Sequence, residues 1–310
     1  MPYLPCGIQS LLACMDPNGP LEEIRIRAER PLQLCFSGYE RLLYGYGGKA
    51  AVTAEDCTEL LHRLLDQSVY AWETELGNGF FTLPGGYRVG LSGRALLSGG
   101  MVERISEVSG FNIRIAREVP DAAASLLPSL LNGEGRLLST LVVSPPGCGK
   151  TTLLRDIARC CSNGEWGARP TKVSVVDTRY ELSGAVRGVP QLDVGLRTDV
   201  LSGVPKATGI RMMLTGLSPE LIVTDELSTQ EEAMAALEAA ACGTAVAASA
   251  HGGSIGTFMR RSHMFRLLRE GLFERIVLLG RNPVPGTVEQ ILTGGMEQLE
   301  VSSCCAPLPC

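Results

Sequence analysis

A glycine-rich segment over residues 144–152 constrains the fold of this chain more than any other feature. The segment reads Ser-Pro-Pro-Gly-Cys-Gly-Lys-Thr-Thr, follows an apolar run over residues 137–143, and precedes a helical pattern that starts at Leu153. A strand, a glycine-rich turn and a helix in this order form a phosphate-binding loop, in which backbone N–H groups and the helix N-terminus face an anion. The segment therefore predicts an α/β domain that binds a nucleoside triphosphate.

Two side chains of this loop have specific predicted roles. Lys150 would reach the β- and γ-phosphates and assist catalysis, and the Thr151 hydroxyl would ligate Mg²⁺. Ser144 stands where the pattern G-x-x-x-x-G-K-[ST] has its first glycine, but Gly147 and Gly149 still allow close backbone approach to the phosphates. The predicted nucleotide-binding residues of the loop are Ser144, Pro145, Pro146, Gly147, Cys148, Gly149, Lys150, Thr151 and Thr152. A glycine-rich turn with a solvated lysine is the structural alternative.

A second apolar strand, over residues 221–224, continues into the acids Asp225 and Glu226. This pattern is typical of the magnesium-side strand of P-loop NTPases. Asp225 would hold the metal, usually through its water, and Glu226 would polarise the attacking water as a general base. A strand end with two solvated acids is the alternative, and the upstream loop disfavours it.

Further polar residues follow other predicted strands. Because ligands lie at the carboxyl edge of an open parallel sheet, we expect His251 to sense the γ-phosphate and to take part in catalysis. Asp177 and Arg179 end a third strand and are predicted to contribute to the nucleotide site. Arg197 could stabilise the transferring phosphate across a subunit interface. A surface ion pair is the alternative for any one of these charges.

The composition argues against several classes of protein. A net charge of −5 and a pI of about 5.4 disfavour a dominant nucleic-acid surface. No apolar run reaches the ~18 residues of a membrane span, and residues 1–15 lack a signal-peptide pattern. We therefore expect a cytoplasmic protein that reaches the membrane only through partners. Eleven cysteines occur beside three histidines. Without a C-x-x-C pair, they favour reduced thiols over a zinc site.

Periodicity divides the chain into unlike parts. Strand and helix signals alternate from residue 137 onward, including a helix expected over 254–269, and predict an α/β fold with a mainly parallel sheet. Earlier residues mix short strands, glycine turns and one helix that begins after Thr53, which predicts a smaller α+β domain. The predicted organisation is an N-terminal α+β domain over 1–120, a linker over 121–136, a P-loop domain over 137–297 and a cysteine-rich tail over 298–310.

These motifs together resemble the type II/type IV secretion ATPase superfamily, and within it the stage III sporulation AA family. The resemblance extends beyond the generic NTPase motifs to the Arg25/Arg27 strand and to residues 85–91, 112–115, 176–177, 195–201, 205–206 and 251–252. It implies a RecA-like P-loop ATPase domain, with Asp177 in the so-called Asp box and His251 in the His box. Two positions depart from the family pattern: Thr178 replaces a glutamate and Thr215 replaces an arginine, for which Arg211 is a candidate substitute.

The resemblance also implies a function and an assembly. The resemblance implies a hexameric ring of two-domain subunits that bind ATP and Mg²⁺ between the domains. In such a ring, Arg88, Arg94 and Arg114 could approach the phosphates. The implied role is a cytoplasmic ATP-hydrolysing motor that energises a sporulation channel from mother cell to forespore, together with membrane proteins of a secretion-like complex.

Two alternative functions are compatible with the same motifs. The first is a P-loop protein that binds single-stranded nucleic acid and hydrolyses ATP slowly, although no aromatic and basic stripe indicates it. Salt-dependent binding to an oligonucleotide would favour it. The second is an ATP-loaded scaffold that does not hydrolyse, which a comparison of Lys150→Ala with Glu226→Gln would distinguish from a motor.

Overall fold

A computed structural model of the 310-residue chain describes residues 3–13, 21–36, 38–45, 47, 51–65, 79–98, 100–115, 118–252, 267–282 and 284–299. The chain separates into two compact units, Met1–Arg117 and Glu118–Cys310. The division falls three residues before the end of the predicted N-terminal domain. None of the helices within the described ranges is long and apolar enough to span a bilayer.

The first unit is built on a six-stranded sheet whose neighbouring strands all run antiparallel. Its strands are β1 (Leu21–Arg27), β2 (Leu32–Phe36), β3 (Tyr39–Leu43), β4 (Phe80–Leu83), β5 (Tyr87–Ser98) and β6 (Met101–Arg114), and its helices are α1 (Cys6–Ala13) and α2 (Ala54–Leu65). The spatial order is β3-β2-β1-β6-β5-β4. The predicted α+β architecture is confirmed.

Buried and outward-facing residues alternate along the strands, and the buried ones form the core of this unit. Ile24 and Ile26 of β1 are buried in the core that also contains the apolar residues of α2, while Glu23 and Arg25 are on the opposite face of the strand. The helix begins where the sequence predicts, because Thr53 and Asp56 cap each other's backbone N–H groups at 2.9 and 3.1 Å. The outward face of the sheet carries the charged residues.

The second unit contains a seven-stranded sheet in the order β13-β12-β7-β11-β10-β8-β9. Its strands are β7 (Thr140–Ser144), β8 (Val173–Asp177), β9 (Thr198–Ser202), β10 (Leu221–Glu226), β11 (Ala245–His251), β12 (Arg275–Gly280) and β13 (Thr287–Thr293). Its helices are α3 (Leu127–Leu130), α4 (Lys150–Asn163), α5 (Lys206–Leu217) and α6 (Gln230–Ala241). All strand pairs are parallel except β12–β13. The predicted α/β class with a mainly parallel sheet is therefore confirmed.

Burial explains why these strands are continuous apolar runs. Every residue of β7 and β8 is buried, as expected for strands covered on both faces. One core packs α4 against the sheet, and a second packs α5 and α6 against it. Helix α6 begins at a capping box in which the Thr229 hydroxyl accepts from the Glu232 N–H.

Three features differ from the sequence-based prediction. The segment 121–136, predicted as a linker, is packed into the core of the second unit, because Ala123, Leu126 and Leu130 are fully buried there. Strands β9 and β13 were not predicted, since both lie at sheet edges and lack a continuous apolar run. The predicted helix over 254–269 lies outside the described residues except for its last turn, and so does the cysteine-rich tail beyond residue 299.

Candidate nucleotide site

Parallel pairing brings the predicted site residues of the second unit to one edge of the sheet. Ser144, at the end of β7, pairs directly with His251 at the end of β11. Glu226, at the end of β10, pairs with Ser249 of β11. The phosphate loop, the acidic strand and the histidine therefore meet at the carboxyl edge, where an open α/β sheet binds its ligand.

The loop presents backbone rather than side chains. Gly147 and Gly149 both adopt a φ of 74°, a left-handed conformation that favours glycine. Helix α4 starts at Lys150, and no side chain caps its N-terminus, so its first N–H groups are available to an anion. Cys148 is 1% exposed and packs in the core, so it contributes its main chain only.

The ammonium group of Lys150 lies folded over the loop. Its Nζ contacts the Ser144 carbonyl at 3.3 Å, the Ser144 hydroxyl at 3.1 Å and the Pro145 carbonyl at 3.2 Å. Burial lowers the pKa of Lys150 below the usual lysine value, and the Glu226 carboxylate partly opposes this effect. A cation that has lost water to burial gains strongly from a nearby phosphate.

His251 bridges Lys150 and Glu226. Its Nδ1 lies 3.1 Å from Lys150 Nζ, and its Nε2 lies 2.9 Å from Glu226 Oε2. Because a protonated lysine only donates, Nδ1 must accept from it, which leaves the ring proton on Nε2 to donate to the carboxylate. The predicted phosphate-binding lysine, the predicted base and the predicted sensor thus form one connected chain.

The neighbouring carboxylate, Asp225, faces a different cation. Its Oδ1 lies 2.5 Å from Lys206 Nζ, and Lys206 also donates to the Glu226 backbone carbonyl. Burial raises the pKa of Asp225 above the usual aspartate value, while the Lys206 charge acts in the opposite direction. The two acids at the end of β10 are therefore held apart by different partners, Lys206 for one and His251 for the other.

The residues at this edge fit a magnesium ion bound together with a nucleotide. The Thr151 hydroxyl, in the first turn of α4, and the Asp225 carboxylate are hard oxygen donors of the kind that Mg²⁺ prefers. No cluster of three or more histidine, cysteine or acidic side chains suited to a metal occurs in the described ranges. An ion at this edge would accordingly take its remaining ligands from phosphate oxygens and water, which is usual for Mg²⁺.

Asp177 is used by the chain itself. It is fully buried at the end of β8, where its carboxylate accepts from the Glu181 N–H at 2.9 Å and from the N–H and hydroxyl of Ser183 at 2.8 and 2.7 Å. Arg155 of α4 holds the same loop by donating to the carbonyls of Leu182 and Glu181 at 2.6 and 2.7 Å. These contacts fix the loop after β8, and they occupy the carboxylate that was predicted to bind nucleotide.

The predicted arginines lie in three different places. Arg179, in the loop after β8, is exposed at the carboxyl edge. Arg197 precedes β9, so it lies at the opposite edge, where it donates to the Ser162 carbonyl at 2.9 Å. Ser162 is near the far end of α4, about 20 Å along the helix from Lys150. The prediction that placed Arg197 among the nucleotide-binding residues is thus not supported within one subunit.

Arg114 belongs to the first unit, at the end of β6. It is 59% exposed and contacts Glu23 at 3.4 Å on the outward face of the sheet. Its strand neighbour on β5 is Arg88, whose guanidinium stacks over the Phe80 ring at 4.0 Å, and Arg94 contacts Glu107 at 3.5 Å. The first unit therefore offers an arginine-rich face.

Two charged residues at the carboxyl edge were not among the predicted site residues. Lys206 is paired with Asp225, and Arg281, directly after β12, donates to the Pro146 carbonyl of the loop at 2.6 Å. A sequence signal existed for each: Lys206 is one of four lysines in an arginine-rich chain, and Arg281 follows an apolar strand. Arg281 thereby supports the exposed part of the loop from the neighbouring strand.

The fold and this edge are those of the RecA-like P-loop fold that the secretion ATPases share. Solved structures with the same fold include the ATPase DotB of Legionella pneumophila, with a TM-score of 0.53 and 18% identity over 86% of this chain and 78% of that one. The pilus retraction motor PilT with bound ADP gives a TM-score of 0.59 and 15% identity over 96% and 82% of the two chains. Identities this low show the fold alone.

The family follows from the sequence. The model of the family described as sporulation stage III, protein AA, matches residues 4–298. The chain is also 44% identical over 271 residues to stage III sporulation protein AA of Bacillus subtilis (strain 168), which covers 87% of this chain and 86% of that protein. This chain belongs to the sporulation stage III protein AA family, as the resemblance predicted.

Proposed function

We propose that this protein is a Mg²⁺-dependent ATPase motor that acts as a hexameric ring in the cytoplasm and energises a sporulation transenvelope channel through membrane partners. The observation that carries the proposal is the contact chain Lys150–His251–Glu226, which links the phosphate-binding lysine to an acid suited to activate water. The 44% identity to the Bacillus subtilis protein supports the sporulation setting.

The contact chain suggests how nucleotide binding and hydrolysis are coupled. A γ-phosphate attracts the Lys150 ammonium, and His251 Nδ1 then loses its hydrogen-bond donor. The ring is then free to turn its Nε2–H from Glu226 to the phosphate, which releases the Glu226 carboxylate. Glu226 accepts the proton of the attacking water, so that ATP and water become ADP and phosphate.

Magnesium, held by Thr151 and Asp225 together with the phosphates, would neutralise charge that develops on the transferred phosphoryl group. The chain's own residues do the rest. The loop N–H groups bind the phosphates, and Arg281 holds the loop by donating to the Pro146 carbonyl. Arg114, its strand neighbour Arg88, and Arg94 farther along β5 are proposed to supply positive charge from the first unit of the same or an adjacent subunit.

The test measures Mg²⁺-dependent ATP hydrolysis across protein concentrations, with oligomeric state followed by light scattering, for the wild type and Glu226→Gln. Loss of a positioned general base should lower the turnover rate by about 10²–10⁴-fold, while nucleotide affinity stays close to that of the wild type. Turnover that rises with assembly and disappears in the variant supports a ring motor.

Other outcomes separate the alternatives. Tight ATP binding without turnover in either protein would contradict a self-sufficient motor and favour the ATP-loaded scaffold. Glu220→Gln, a change of the same type at the opposite edge of the sheet, is the matched control and should hydrolyse ATP at the wild-type rate.

A further inference from the structure

Three oxygen atoms surround the ammonium group of Lys206. Nζ lies 2.5 Å from Asp225 Oδ1, donates to the backbone carbonyl of Glu226, and lies 3.7 Å from Glu232 Oε1. The lysine side chain is only 6% exposed. A buried ammonium requires polar partners, and the oxygen atoms around this one belong to the end of β10 and the start of α6.

Local preferences do not explain a lysine at this position. Lys206 is the first residue of α5, where the helix dipole disfavours a positive charge. A leucine or methionine would fill this buried position without the cost of burying a charge. The acidic partners therefore account for its presence.

Helix α5 lies unusually close to the sheet at this point. A Cβ on Gly209 would come within 2.7 Å of Val176 Cγ1 and 2.8 Å of Val204 Cγ1. The glycine thus lets the first turn of α5 approach β8, the strand next to β10. This approach brings the Lys206 ammonium within reach of the Asp225 and Glu232 carboxylates.

We infer that Lys206 is a positioning residue for the metal-binding end of β10. It holds the Asp225 carboxylate by one oxygen, which leaves the second oxygen for the magnesium–nucleotide complex, and it fixes the main chain from which Glu226 projects. The inference rests on the proposed function, because it assigns Asp225 to the metal. Partners that orient a metal-ligating carboxylate contribute to metal affinity in many proteins, although they do not touch the ion.

The experiment compares binding of a fluorescent ATP analogue in Mg²⁺ and in EDTA, by the wild type and by Lys206→Met. The ratio of the two affinities isolates the metal-dependent part of binding. We expect this ratio to be about tenfold lower in the variant than in the wild type, while the affinity in EDTA stays within about twofold of the wild-type value. A role confined to stability would lower the melting temperature and leave the ratio unchanged, which would overturn the inference.

Further variants make the result specific. Lys206→Gln keeps a side chain of similar length without the charge, and it should show the same loss if the methionine variant does not fold. Lys206→Arg, which keeps the charge, should retain most of the ratio. Lys172→Met removes an exposed lysine at the opposite edge and should behave as the wild type.

An Asp225→Asn background completes the test. If Lys206 acts through Asp225, then Lys206→Met should lower the ratio no further in that background. An undiminished effect there would overturn the inference. Failure of the wild-type protein to bind nucleotide in either buffer would instead contradict the proposed function itself, so the two failures are distinguishable.

Discussion

At the carboxyl edge of the seven-stranded sheet, Lys150, Lys206 and Asp225 are largely buried beside charged or polar partners, whereas at the opposite edge the ion pair of Arg169 and Glu220 is partly exposed. Lys150 and Lys206 are 8% and 7% exposed. By contrast, Arg169 and Glu220, which form an ion pair at the opposite edge, are each 34% exposed in their side chains. Buried charge costs free energy, so its concentration at one edge marks that edge as the site of chemistry.

The opposite edge also contains a cavity of about 350 Å³, which is lined by Arg136, Arg169, Glu220 and Glu274 among others. The hydroxyl of Thr171 there donates to the chain's own Arg169 carbonyl, and the Ser139 hydroxyl accepts from Val246 N–H. Buried, converging charge favours the phosphate loop as the nucleotide site, whereas this cavity lies at the opposite edge.

The largest effect is expected for Lys150→Ala, which should lose far more ATP affinity than a matched change at the opposite edge. Charge-assisted hydrogen bonds are worth about 1.5–3 kcal/mol each, so loss of this ammonium should weaken ATP affinity by roughly 100-fold. Titration with a fluorescent ATP analogue measures the change. Lys172→Ala, at the opposite edge, should change affinity by less than about twofold. Equal losses in the two variants would contradict the distinction between the edges.

A smaller effect, on stability rather than on binding, is expected for Asp177→Ala. The change leaves the N–H groups of Glu181 and Ser183 without their acceptor in a buried loop, which should lower the free energy of unfolding by about 3 kcal/mol. Urea unfolding followed by circular dichroism measures this. Asp199→Ala, at an exposed position of β9, should change stability by less than about 0.5 kcal/mol.

The same variant tests whether Asp177 also binds nucleotide. If its role is to hold the loop, a folded Asp177→Ala protein should bind ATP within a few-fold of the wild type. A loss as large as that of Lys150→Ala, with stability unchanged, would restore the interpretation of Asp177 as a ligand of the nucleotide.

The smallest effect is expected for Arg197→Ala. Its guanidinium contacts Ser162 at the far end of α4, so ATP affinity measured at protein concentrations below assembly should change by less than about twofold. A tenfold loss there would show that Arg197 reaches the phosphates of its own subunit. Loss of hydrolysis only at assembling concentrations would instead place Arg197 at a neighbouring subunit's nucleotide.

Sequence patterns predicted those features of the fold and of the candidate site whose residues are close together in the sequence. The loop over 144–152 connects a strand to a helix within one short segment, and the two acids that end β10 are adjacent in sequence. The role of Asp177 could not be predicted, because a carboxylate at a strand end looks the same whether it faces a ligand or the next loop. Its contacts depend on how residues 181–183 turn back toward it.

The location of Arg197 shows a second reason for failure. Strand β9 lies at the sheet edge and is only half-buried, so its five residues lack the apolar run that revealed the other parallel strands. Without that strand, the sequence cannot indicate whether Arg197 precedes or follows it. Whether Arg197 lies at the carboxyl edge or at the opposite edge therefore depends on β9, a strand that the sequence pattern does not reveal.

The connection between β10 and α6 has a mechanical consequence. Only three residues separate Glu226 from the first residue of the helix, and the Ser228 and Thr229 N–H groups both donate to Glu232, at 2.6 and 3.0 Å. A segment with its backbone groups bound in this way cannot absorb large torsional changes as a hinge. We therefore expect residues 221–241 to move as one rigid lever, so that a displacement of the two acids is carried undiminished to the far end of α6.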